Sequence, residues 1–137
     1  MGMKVSKGDQ QLLLDLARQS IRNHFISAQK EIGRIQQQLS PELMSGHMGV
    51  FVSLHQQGRL RGCIGNIEPV KTVFHGVRDN SNHAAFNDSR FSPMTPEELE
   101  TTTIEISLLT TPKQIEYSDP QQLLSILKPD IDGVIIE

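Results

Sequence analysis

One cysteine, no tryptophan and one tyrosine are the whole supply of thiol and large polar aromatic groups in 137 residues. A single thiol excludes a disulfide framework and any cysteine-ligated iron–sulfur cluster, which needs several thiolates. It fits a reducing, cytoplasmic location. With 4% aromatic residues and a formal net charge of −3, the chain has little to stack on bases and no basic excess for a phosphate backbone, so no nucleic-acid partner is expected. No apolar run approaches a bilayer span, and the first residues lack the apolar core of a secretory signal, so no membrane partner is expected. Met1 to Ser6 fit the short N-myristoylation pattern, but so few fixed positions match often by chance, and an ordinary start is preferred. The length supports one domain, residues 1–137, with a core of its own.

What is present is concentrated in Leu60-Arg61-Gly62-Cys63-Ile64-Gly65, which holds the cysteine between two glycines and beside an arginine. Upstream, Gly49 to His55 alternates with period two and is rich in strand-favouring residues. Gln56-Gln57-Gly58 reads as a three-residue hairpin loop, with Gly58 at its left-handed position. That register puts Val50, Val52, Leu54, Leu60, Gly62 and Ile64 on the core face. Phe51, Ser53, His55, Arg59, Arg61 and Cys63 fall on the other face. A thiol near guanidinium groups ionises more readily, and the thiolate is the reactive form. Gly62 and Gly65 would leave backbone N–H groups open to a ligand, or permit a bulge or tight turn.

The remaining pattern is helical for the most part. Asp9 to about Ala28 reads as an amphipathic helix with Asp9 as N-cap, a stripe of Leu13, Ala17, Ile21, His24 and Ala28, and Arg18 on the opposite side. His24 is expected to pack rather than to bind a metal. Glu31–Leu39 has a weaker helical pattern, and Ser40 to Gly46 reads as a polar connection. Glu68-Pro69 opens a second helix with Val70, Val73, Phe74, Val77, Ser81, Ala84 and Ala85 buried. His75, Asp79 and His83 align on its other side, but that side faces solvent and a metal site needs more converging ligands, so none is expected. Thr95-Pro96-Glu97-Glu98 is a capping box opening a short helix. Thr103–Leu109 is a strand with Ile104, Ile106 and Leu108 inward. Asp119-Pro120 caps a further short helix, and Asp132-Gly133 turns into an apolar strand, Val134–Ile136.

Four segments, in order, resemble the AMMECR domain family, protein A of the AmmeMemoRadiSam system. They are Gly49–Leu54, the hexapeptide Leu60–Gly65, the run Ala84-Ala85-Phe86-Asn87-Asp88-Ser89-Arg90-Phe91, and Ile104–Leu109. The third has Ser89 where the family has proline, and in the continuation of that run past Phe91 the chain has Met94 where the family has leucine. The resemblance implies an α+β fold: a mixed sheet with flanking helices and a second, smaller subdomain. Relatives continue past Val134–Ile136 into segments not present here, so the domain is expected to be incomplete at its C-terminus, and the apolar strand to need another neighbour, either internal or in a homodimer.

Two functions follow as expectations. In one, the hexapeptide and the Asp88-Ser89-Arg90 loop form a binding surface, with Arg61, Gly62, Gly65, Asp88 and Arg90 as ligand-binding residues. Family association implies Memo-type and radical-SAM proteins as partners. In the other, Cys63 is a nucleophile or redox thiol acting on an anionic substrate, with Arg61 orienting the anion. A purely structural hexapeptide is the third reading. Arg61, Cys63 and Arg90 are expected within the breadth of one small-ligand pocket. Neither metal nor cofactor is called for.

Overall fold

The computed structural model describes residues 5–110, 114, 116 and 118–126. Its centre is the hairpin of β1 (Gly49–Gln56) and β2 (Arg59–Asn66), with β3 (Thr102–Leu109) on the far side of β1. The order is β2-β1-β3 and both pairings are antiparallel. The α+β class therefore holds, but the sheet the described strands form is antiparallel throughout, not mixed.

Helices cover one face. The first helix, α1 (Lys7–Arg22), packs on α4 (Val73–Phe86), and α4 lies across β1 and β2. Val50, Val52 and Leu54 point into this layer and are completely buried, each worth about 1.5–3 kcal/mol of apolar burial. Ile104, Ile106 and Leu108 oppose them from β3 and pack on the same core, as their alternation predicts.

The hairpin differs from expectation in one detail. Gln56 pairs with Arg59, and Gln57 and Gly58 have φ of 51° and 78°. The connection is thus a two-residue turn of the type I′ pattern, whose hand matches strand twist. A bulge follows, because His55 pairs with Leu60 but Leu54 pairs with Gly62, leaving Arg61 as the extra residue. Turn and bulge together restore the expected alternation, so Val52 opposes Ile64 and Ser53 opposes Cys63. Ahead of the bulge the alternation is reversed: Leu60 lies opposite His55, off the core face, and is 40% exposed.

Helix boundaries also moved. Ser6, not Asp9, caps α1: its hydroxyl accepts the Asp9 N–H, while the Asp9 carboxylate accepts the N–H of Ser40. The helix stops at Arg22 because Asn23 turns its side chain to the Ala28 N–H, which opens α2 (Gln29–Gln38). Beyond this stop His24 is exposed, yet its ring stacks on Phe86 at 4.0 Å, and Ala28 is buried. Arg18 is not a free surface charge; it donates to the carbonyls of Leu99 and Thr102 at 2.7 Å each. Pro41–Ser45, expected as a connection, is a single-turn helix, α3, that buries Leu43. The second long helix begins only at Val73, capped by Thr72, so Val70 is 68% exposed. The capping box of Thr95 and Glu98 opens α5 (Pro96–Glu100), and Asp119 caps α6 (Pro120–Ile126) by accepting the Gln122 N–H. The turn at Asp132-Gly133 and the strand Val134–Ile136 lie outside the described residues.

Candidate functional site

The two glycines of the hexapeptide are explained by their neighbours. A side-chain carbon on Gly62 would lie 2.1 Å from the carbonyl oxygen of Ala84, so the close seat of α4 on β2 requires its absence. Gly65 sits directly opposite Phe51, whose ring covers it, and a side-chain carbon there would meet that ring at 2.3 Å.

Cys63 is half-buried on the face away from α4, its sulfur 3.2 Å from the Ser53 hydroxyl across the pair. Its main chain lies on the edge of β2 away from β1, with which no strand among the described residues pairs. There the Cys63 N–H donates to the Asp88 carboxylate at 3.0 Å, and its carbonyl accepts from an Arg90 terminal nitrogen at 3.4 Å. Asp88 and Arg90, in the loop after α4, thus engage the strand edge where a fourth strand would otherwise pair. The two are also bonded to each other, with Arg90 Nε and Nη2 donating to Asp88 at 3.0 and 2.7 Å. Asp88 is buried, its side chain only 5% exposed, whereas that of Arg90 is 56% exposed.

The Arg90 hydrogen bonds first, then the Cys63 N–H, hold the Asp88 carboxyl well below the usual carboxylate range, against burial, which raises it. Asp88 in turn raises Arg90, with a smaller contribution from Cys63. Arg61 goes elsewhere. It donates to Glu98 at 2.7 and 3.2 Å and to the Ser92 carbonyl at 2.8 Å, with its side chain only 11% exposed. This pairing lowers the Glu98 carboxyl, against burial. The two arginines still share a neighbour, because their guanidinium carbons lie 5.9 Å (Arg61) and 5.4 Å (Arg90) from the Phe91 ring centre. Cys63, Arg90 and Asp88 are brought together, and Phe91 links Arg61 to them.

The alternation places Ser53 on the outer face, but a three-residue loop would set it opposite Arg61; the two-residue turn and the bulge bring it opposite Cys63 instead. Glu98 was seen only as a cap; nothing local signals its bond to Arg61. In the aligned His-Asp-His set, Asp79 is taken by Lys71 at 2.9 Å and Arg78 at 3.1 Å. Burial alone would raise Asp79, but these two cations together lower it. His75 and His83 bond to Thr72 and Asn87.

The fold and this edge define a class: an α+β domain whose central hairpin carries a half-buried thiol, clamped by a conjoined Asp–Arg pair. The chain belongs to the AMMECR1 family, whose model matches residues 14–137. A Methanothermobacter thermautotrophicus protein is 36% identical over 97% of this chain and 68% of its own length. A protein of Methanopyrus kandleri is 33% identical over 99% of this chain and 65% of its own. The crystal structure of an uncharacterized protein, PH0010, from Pyrococcus horikoshii superposes with a TM-score of 0.73 at 29% identity, covering 90% of this chain and 62% of that one. The chain thus spans about two thirds of the length of these relatives. Among the described residues, no helix is long and apolar enough to cross a membrane.

Proposed function

We propose that the domain is a binding module rather than an enzyme. Its working surface is the edge of β2 with Cys63, Arg90 and Phe91, and its partners are the Memo-type and radical-SAM proteins associated with the family. The observation that carries this reading is the state of Asp88. It is the carboxylate bonded to the Cys63 main chain, yet both its oxygens are committed to N–H donors and it stays ionised far into acid. Such a group is a poor general base. The thiol's own polar neighbour is a serine hydroxyl, and no histidine among the described residues bonds to it. The Asp88 carboxylate holds Arg90 in place with its side chain 56% exposed and its Nη1 without a partner among the described residues, ready for a carboxylate of a partner.

Titration calorimetry with the Memo-type and radical-SAM proteins of the same organism tests this. A complex with either is expected, weakened at least tenfold by Arg90→Ala, since one charge-assisted hydrogen bond is worth about 1.5–3 kcal/mol. Iodoacetamide should modify Cys63 no faster at neutral pH than an ordinary free thiol. No complex with either protein, together with fast alkylation persisting below neutral pH, would replace this reading with the catalytic one.

A further inference from the structure

A separate concavity lies where the end of α1, α2 and the first half of α4 meet. It is a cleft of about 330 Å³, at the small end of the range for ligand sites. Three observations give it a chemistry. Ser20 lines it at 3% exposure, and its Oγ has no hydrogen-bond partner among the described residues. The Oγ exposes almost no surface as it stands, so a ligand meets it only when the Ser20 side chain turns to another rotamer, and the bond made then removes the cost of an unpaired buried hydroxyl.

Arg78 supplies the second observation. It commits Nε to Asp79, at 3.1 Å, while its two terminal nitrogens have no partner among the described residues. The guanidinium is held over the Phe74 ring, 5.9 Å from its centre, so a planar two-pronged donor stands fixed at the cleft. Asp79 does not cancel it, because Lys71 shares that carboxylate. The third observation is the rest of the lining. No carboxylate is present, and the side-chain amides of Gln29 and Gln36 have no partner among the described residues. Amides both donate and accept, which is what hydroxyl groups require.

We propose that this cleft binds a small polyhydroxylated anion of sugar-phosphate or sugar-acid type. Arg78 holds the phosphate or carboxylate, Gln29 and Gln36 meet hydroxyls, Ser20 completes its missing hydrogen bond at the base, and Phe74 supplies an apolar floor.

The test is an NMR titration of the full chain with glucose 6-phosphate and with gluconate, using glucose and inorganic phosphate as controls. At least one of the two anions should shift the Gln29 and Gln36 side-chain amides saturably at millimolar concentration, at least tenfold more tightly than either control. Which anion does so distinguishes phosphate from carboxylate. Arg78→Met should weaken binding at least tenfold, and Arg78→Lys, which keeps the charge but not the fork, should fall between. Ser20→Ala should weaken binding without lowering the melting temperature, since the hydroxyl it removes has no partner in the free protein. Two results would overturn the proposal: no saturable shift with either anion, or controls that bind as well. A third would be a Ser20→Ala variant that melts lower yet binds unchanged, because the hydroxyl would then serve the fold alone.

Discussion

Gly62 shows how much of the hexapeptide is dictated by contact. Backbone meets backbone there, so a methyl group cannot be accommodated by swinging a side chain aside; α4 must lift from β2. Gly62→Ala should destabilise the domain by about 1–3 kcal/mol, the usual cost of overpacking, read as a lower denaturant midpoint at unchanged slope. The alternation of β2 told that residue 62 faces the core, but not that a helix carbonyl comes so close. Asp88 is a similar case. Periodicity leaves it in a loop, and only the family resemblance marked it. Its bond to the Cys63 N–H joins residues 25 apart in sequence, and no local pattern encodes such a meeting.

At the scale of elements, signals that act within a few residues were legible. The Thr95–Glu98 capping box was readable because both its hydrogen bonds close over three residues. β1 and β3 were readable because their residues alternate between a more buried and a less buried face. Features decided by a single unusual dihedral or a tertiary bond were not. Gln57 takes a positive φ that non-glycine residues seldom adopt, so the turn looked one residue longer than it is. The end of α1 was hidden because His24, Phe25 and Ala28 continue its apolar period after Asn23 has broken the helix. Glu98 joins two elements, capping α5 and holding Arg61 of β2. Glu98→Gln retains a residue that can complete the box, whereas Glu98→Ala removes the box and strands a largely buried guanidinium. The alanine variant should lose about 2 kcal/mol and the glutamine variant clearly less, measured by urea unfolding of both.

For the whole molecule, acid is the informative variable. Asp88, Glu98 and Asp79 all have folded-state values below their ordinary ones of 3.8, 4.5 and 3.8. In acid the unfolded chain therefore binds more protons than the folded one, and stability rises with pH. Their contribution is complete above the ordinary values and is lost as pH falls through the folded ones, last of all for Asp88. The unfolding midpoint should thus be flat from neutrality to about pH 5 and fall steadily below that. Asp88→Asn should be less stable at neutral pH but lose less on further acidification, so that the two curves converge at the acid end. Thermal melts of both proteins between pH 2 and 7 check this. Parallel curves would mean that Asp88 does not titrate with folding.

The bulge has a consequence for chain length. A regular antiparallel ladder closed by Gln57-Gly58 would run His55 against Leu60 and Leu54 against the very next residue. In this hairpin the next residue is surplus, and it is Arg61. Excising it would leave an uninterrupted ladder with Cys63 still opposite Ser53 and Gly62 still beneath α4. The hexapeptide is therefore one residue longer than its own strand needs, and the surplus residue is the one that reaches out of the sheet to α5.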